Sequence, residues 1–160
     1  MRRAEKEIRD PDAIKEILKS SRYMTLALCR ENQPYLVTLS HGYDPDRNCL
    51  YFHCAGSGKK LDILAVNPLV WGQAVIDLGY VPGKCDHLFQ SAHFRGRVFF
   101  LENSGDKRHA LEVMIRQLEK NPETVMADQL GEASIRKVVM GRVDILEWWG
   151  KESTKPVISL

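Results

Sequence analysis

Hydrophobic positions recur with two different periods along this chain, and the boundaries between them outline its elements. Ile14, Ile17 and Leu18 follow Pro11 at helical spacing, which predicts a first helix over 11–21. Met24, Leu26 and Leu28 then alternate with Thr25, Ala27 and Cys29, and Glu31-Asn32-Gln33 separates this run from a second extended one over 34–43. The pair is a predicted β-hairpin. The turn-forming cluster Asp44-Pro45-Asp46-Arg47-Asn48 precedes a third strand, Cys49–Cys54, and a short helix over 59–67 stops at Asn67-Pro68. A fourth strand over 70–78 leads through a loop carrying Gly79, Pro82 and Gly83 to a long fifth strand over 89–102. Gly96 interrupts that strand, as expected at a bulge or where another backbone passes close. Leu111, Met114, Ile115 and Leu118 mark a second long helix over 104–120, closed by Asn121-Pro122. The segment 122–137 has no clear period, and 138–147 is a sixth strand. Six strands joined mainly by hairpins, with helices beside them, predict one α+β domain over residues 1–160, built on a small antiparallel barrel.

Composition narrows the function classes. The chain is 160 residues long, 44% apolar and 28% charged, enough for one sizeable core. Its 23 Lys and Arg against 21 Asp and Glu leave a net charge of +2, too small a basic excess for a protein whose main partner is nucleic acid. No apolar run approaches the ~20 residues that cross a bilayer, and MRRAEKEIRD leads into no signal-peptide core, so the expected location is the cytoplasm, away from membranes. Cys29, Cys49, Cys54 and Cys85 are scattered without a Cys-x-x-Cys pair, which fits thiols in a reducing compartment.

Candidate chemistry concentrates in CLYFHCAGSGKKLDILAVNP, residues 49–68, where an apolar strand breaks at Gly56-Ser57-Gly58 and restarts as a helix headed by Lys59 and Lys60. Free N–H groups at a helix start carry roughly half a positive charge; Ser57 adds a hydroxyl and the lysines two full charges. The expected guest is a phosphate, with the rest of a nucleotide along the preceding strand. A P-loop is excluded, because His53 stands where its first glycine belongs and Lys60 where Ser or Thr follows the lysine. A solvated lysine pair on an amphipathic helix has the same spacing. Charge-assisted hydrogen bonds contribute about 1.5–3 kcal/mol each, whereas micromolar affinity needs about 8 kcal/mol, so an aromatic ring system on the strands must supply the remainder. Cys85 beside His87 has the Cys-x-His spacing but no second ligand pair, and no metal site is expected.

These residues, in their order, resemble the FMN-binding split barrels of the pyridoxamine 5'-phosphate oxidase-like superfamily, most closely the nitroimidazole-resistance reductase branch. The resemblance spans about residues 20–152. It is carried by Gln33-Pro34-Tyr35-Leu36-Val37-Thr38-Leu39, Leu50-Tyr51-Phe52-His53, Gly58-Lys59-Lys60, Asn67-Pro68, Phe89-Gln90-Ser91 ahead of Gly96, and Trp149-Gly150-Lys151-Glu152. It implies a six-stranded antiparallel split β-barrel with flanking helices and FMN as cofactor. The backbone of Val37, Thr38, Leu39 and Ser40 would edge the isoalloxazine, Phe52 and His53 would flank the ribityl chain, and Ser57, Lys59 and Lys60 would hold the phosphate; by the strand reading Cys54 lies with Phe52 and His53 under whatever the phosphate is attached to. Ser91 stands where the oxidase branch has glutamine, and Trp149 or Lys151 would approach the flavin of a partner subunit. The oxidase's Arg-Lys pair is Gly58-Lys59 here, and its C-terminal arginine motif for pyridoxal phosphate is not recognisable, which argues against that substrate.

The resemblance makes His53 the candidate active-site residue, as proton donor or as a hydrogen-bonding partner of the cofactor. His41 and His93 fall on strands, where histidines are more often structural. The implied function is a homodimeric flavin-dependent oxidoreductase that reduces a small electron-poor acceptor, with NADH or NADPH as candidate donor. The alternatives are a flavin carrier or sensor without turnover, and a haem-binding split barrel with His41, His87 or His93 as axial ligand. A small barrel fills its interior with its own side chains, so a flavin at its surface requires an outer wall, and a two-fold dimer provides one.

Overall fold

The computed structural model describes residues 3–154. A turn of 3-10 helix over Ala4–Lys6 leads into β1 (Glu7–Ile8) and α1 (Pro11–Ser20), then β2 (Tyr23–Arg30), β3 (Gln33–Ser40), β4 (Gly42–Asp44) and β5 (Cys49–Cys54). After α2 (Lys59–Val66) come the long hairpin β6 (Leu69–Val81) and β7 (Asp86–Phe100), the helices α3 (Ser104–Leu118), α4 (Pro122–Gln129) and α5 (Glu132–Lys137), and β8 (Val139–Ser153). All strand pairings are antiparallel; the sheet runs β3-β2-β6-β7-β8-β5-β4, with β1 on β8. This is the α+β split barrel, with eight strands among the described residues rather than six.

The two extra strands are β1, which pairs Glu7 and Ile8 with Lys151 and Gly150 of β8, and β4. The expected strand over 34–43 divides at His41, where β3 remains on β2 while β4 turns to pair with β5. Gly42 lies so close to α3 that a β-carbon there would meet Met114 Cα at 2.7 Å, which fixes the position of the break. The sixth strand extends to Ser153, and it carries Trp148 to Lys151 into the sheet. The expected loop after residue 78 is a tight turn at the tip of the β6–β7 hairpin, with a register shift between Asp77 and Gly79. Gly96 sits at a second shift, between Arg95 and Gly96, and a β-carbon there would come 2.8 Å from the Asp144 carbonyl oxygen, so bulge and close approach coincide. The aperiodic stretch 122–137 is α4 and α5, each with a single buried residue, Met126 and Ile135.

The sheet curls round Met24, Leu26, Leu28, Leu50, Phe52 and Phe94, and α1 adds Ile14, Ile17 and Leu18 to the same core. The curl does not close. β3 approaches β5, yet neither takes the other as a hydrogen-bonded neighbour. α3 covers the outside of β5 through Ala110 and Met114 against Cys49, Tyr51 and Met140, and His109 Nε2 bonds Asp44 Oδ2 at 2.7 Å. Burial is the largest single influence and raises the Asp44 carboxyl, but the bond to His109 and the backbone N–H groups of Arg47 and Asp46 together outweigh it and hold the group below its usual range.

His41 is fully buried, and its Nε2 donates to the Leu18 carbonyl at 2.9 Å. Nδ1 has no partner among the described residues. Burial, partly opposed by that bond, holds its pKa below the ordinary 6.5. The unfolded chain therefore takes up this proton first, so the stability contribution is complete above pH 6.5 and is lost as pH falls below it. The urea midpoint is expected to fall between about pH 7 and about pH 5. H41Q, whose amide can still donate to Leu18, should show a shallower slope over the same range.

Candidate functional site

The chain reverses from β5 into α2 through Ala55 to Gly58, and Gly58 takes φ +130°, a conformation open to glycine and strained for other residues. The arginine that the resemblance places at this position is therefore absent for a backbone reason as well as by sequence. No side chain caps α2, and its first internal bonds are Leu61 N to Gly58 O at 2.9 Å and Asp62 N to the same oxygen at 3.3 Å. The N–H groups of Lys59 and Lys60 are thus left to an external acceptor. Ser57 is exposed beside them. Lys59 reaches across to β3, its Nζ 5.1 Å from the centre of the Tyr35 ring. Lys60 lies near Cys54, whose thiol is raised by burial and lowered in part by that ammonium. A cleft of about 350 Å³ opens between α2 and the β2–β3 hairpin, lined by Arg30, Tyr35, Lys59 and Asp62.

β3 is the terminal strand of the sheet on this side. Val37 and Leu39 pack toward the core, while Thr38 and Ser40 are exposed, and Thr38 Oγ1 lies 3.0 Å from Thr25 Oγ1 on β2. The free edge of such a strand carries unpaired N–H and C=O groups. A flat heterocycle with ring carbonyls and nitrogens on its rim can satisfy them, which is the fit expected of an isoalloxazine edge.

The side chains at the end of β5 divide between two faces of the sheet. Phe52 is fully buried and its ring lies directly over Gly141, so its side chain belongs to the barrel interior and only its backbone is available to a ligand. His53 projects on the opposite face, away from the barrel. It lines a separate cleft of about 330 Å³ with Leu111, Gln129, Ser134 and Lys137 from the helical layer. Cys54 turns back toward the core.

The remaining expected residues meet on the outer face of the sheet. Ser91, His93 and Arg95 of β7 stand opposite Lys151, Trp149 and Glu147 of β8, and opposite Val75, Gln73 and Trp71 of β6. His93 stacks on Trp149 with centroids 5.8 Å apart and planes 5° apart, and Trp71 meets Trp149 edge-on at 5.3 Å. Ser91 donates to the Lys151 carbonyl at 3.1 Å and lies 3.2 Å from His93 Nε2. Lys151 Nζ is 5.6 Å from the Phe89 ring centre. Trp148 points the other way and packs on the core, so the tandem tryptophans divide between the two faces.

Within one chain, then, three groups stay apart: the seat at Ser57, Lys59 and Lys60 with the β3 edge; His53 among the helices; and Ser91, Trp149 and Lys151 on the outer face. Three strand spacings separate β3 from β7, roughly 14 Å. Arg30, Tyr35 and His93 are additions that the strand patterns did not single out for the site; the pairing of Tyr35 with Lys59 is a tertiary contact with no sequence signal. Of the histidines considered as haem ligands, His41 is enclosed in the core and committed to Leu18, and His87 pairs with Asp77 at 2.7 Å. No cluster of three metal-ligating side chains occurs among the described residues, and none of their helices is long and apolar enough to cross a membrane.

These features define a split-barrel protein with an open strand edge beside a cationic helix start. The family model described as pyridoxamine 5'-phosphate oxidase matches residues 10–150, and the chain belongs to that family. Comparison with curated proteins finds no match. Among solved structures, a protein of Bacteroides thetaiotaomicron assigned to 5-nitroimidazole antibiotic resistance is 28% identical, with a TM-score of 0.75 over 91% of this chain and 86% of that one. The FAD and haem binding protein of Mycobacterium smegmatis superposes with a TM-score of 0.78 at 15% identity, over 96% of this chain and 77% of its own. An FAD-binding protein of Mesorhizobium loti gives 0.65 at 23% identity, over 91% and 96%. At those two identities the likeness speaks to the fold alone.

Proposed function

We propose that the protein is a homodimeric FMN-dependent oxidoreductase of the cytoplasm that reduces a small electron-poor acceptor such as a nitroaromatic. The observation that carries this reading is the separation just described. The phosphate seat and open edge of one copy lack a wall, and the aromatic face of a second copy supplies one, so two equivalent sites arise across a two-fold axis. FMN is favoured over a dinucleotide because the seat offers cations for one terminal phosphate, whereas Asp62, in the first turn of α2 and on the rim of the same cleft, repels a second. Four free thiols agree with a reducing compartment. The relative from Bacteroides thetaiotaomicron supports the choice of acceptor.

Bound FMN supplies the redox chemistry, carrying a hydride from NADH or NADPH to the acceptor. The chain binds and orients it: Ser57, Lys59 and Lys60 hold the phosphate, and the β3 backbone from Val37 to Ser40 meets the ring edge. His53 faces the separate helical cleft, so its part in the reaction rests on the family resemblance and not on a position beside the seat. Adding FMN to the purified protein is expected to give a stable yellow complex with quenched flavin fluorescence, and NADPH followed by a nitroimidazole should bleach and restore the absorbance. Protein that never acquires flavin absorbance refutes the reading. A complex that forms but passes no electrons in single turnover leaves a flavin carrier or sensor instead.

A further inference from the structure

The hydrogen bonding around Ser91 fixes the state of His93, and this inference rests on the flavin reading above. Ser91 has one hydroxyl proton, and it goes to the Lys151 carbonyl. The Nε2 of His93, 3.2 Å from Ser91 Oγ, must therefore donate its own proton to that oxygen. A neutral imidazole protonated at Nε2 has a bare lone pair at Nδ1, and no described residue donates to it. Burial and then Lys151 hold the His93 pKa below 6.5, so the neutral ring prevails near pH 7. Its surroundings are Gln73 across on β6, Trp149 across on β8, Lys151 and Glu147 on the diagonals, and Arg95 two positions along, already ion-paired with Glu147. The stack on Trp149 sets the plane of the ring.

We propose that His93 reads the pyrimidine edge of the flavin by accepting a hydrogen bond at Nδ1 from the flavin N3–H. Oxidised isoalloxazine has one ring N–H, at N3, between two carbonyls; N1 and N5 are acceptors. A bare imidazole nitrogen can pair with that N–H and with no other ring nitrogen. Lys151, diagonal to His93 on the same face, offers an ammonium to a flanking carbonyl. Because β7 lies three strands from the β3 edge, the flavin that His93 reads is the one seated on the second copy.

The test titrates FMN and N3-methyl-FMN into wild-type protein, His93→Phe and His93→Asn, following flavin fluorescence. The wild type should bind FMN about tenfold more tightly than the methylated analogue. His93→Phe, which keeps a ring against Trp149, should bind FMN about tenfold more weakly and no longer distinguish the two. His93→Asn, whose amide oxygen can occupy the place of Nδ1, should keep part of the discrimination. A wild type that binds FMN and its analogue alike, or a His93→Phe variant that discriminates as before, overturns the assignment and leaves the flavin reading standing. Failure of the wild type to bind FMN overturns both.

Discussion

Replacing Lys59 and Lys60 together by alanine weakens FMN binding about a hundredfold and leaves riboflavin binding within about twofold. Both ligands present the same ring to the β3 edge, and only FMN carries the phosphate. Each lysine–phosphate contact is a charge-assisted hydrogen bond of about 1.5–3 kcal/mol. Lys59 is exposed and Lys60 half-buried, so the lower figure applies to each; two such contacts make about 3 kcal/mol, or two orders of magnitude. The α2 N–H groups and Ser57 remain in the variant, which is why binding is weakened and not abolished. Added salt should lower the wild-type affinity for FMN and have much less effect on the double variant. Parallel titration of both ligands into both proteins decides the matter. An equal loss for FMN and riboflavin would mean that the lysines support the ring or the fold, and the phosphate lies elsewhere.

What the sequence made legible followed from whether a segment has one wet face. β2 has one: Met24, Leu26 and Leu28 are buried while the residues between them are not, and the alternation survives intact in the structure. β5 has none. α3 covers its outer side, so Cys49, Leu50, Tyr51 and Phe52 are all buried and the run carries no parity. The direction of the Phe52 ring was hidden for that reason, since only the register with β8 and the contact with Gly141 reveal which way it points. By the same parity His53 goes with Tyr51 toward the helices. α4 and α5 were illegible because one buried residue per helix generates no period. The strand-to-helix junction at Gly56 to Lys60 was readable because glycine, serine and two lysines constrain both backbone and charge locally. The histidine on the outer face was not, because its meaning depends on Ser91, Lys151 and Trp149, brought together by two strand registers.

Trp71→Glu is expected to turn the protein into a folded monomer that has lost FMN. Tyr23, Leu36, Trp71 and Val75 stand 57%, 66%, 53% and 38% exposed on the outer side of β2, β3 and β6, a concentration of large apolar residues that an isolated domain rarely leaves in water. On the dimeric reading proposed above, a second copy covers this face and completes the site. Trp71 borders Trp149 at the centre of this face, and a glutamate there would have to enter the dimer interface unpaired, at a cost of several kcal/mol. In the single chain the position is more than half exposed, so the unfolding midpoint should change little. Light scattering should show the loss of the dimer, and FMN titration should show the loss of binding in step with it. Because binding and dimerisation are linked, raising the variant's concentration should recover FMN affinity. A monomeric variant that keeps wild-type affinity at every concentration would show that one chain holds the whole site.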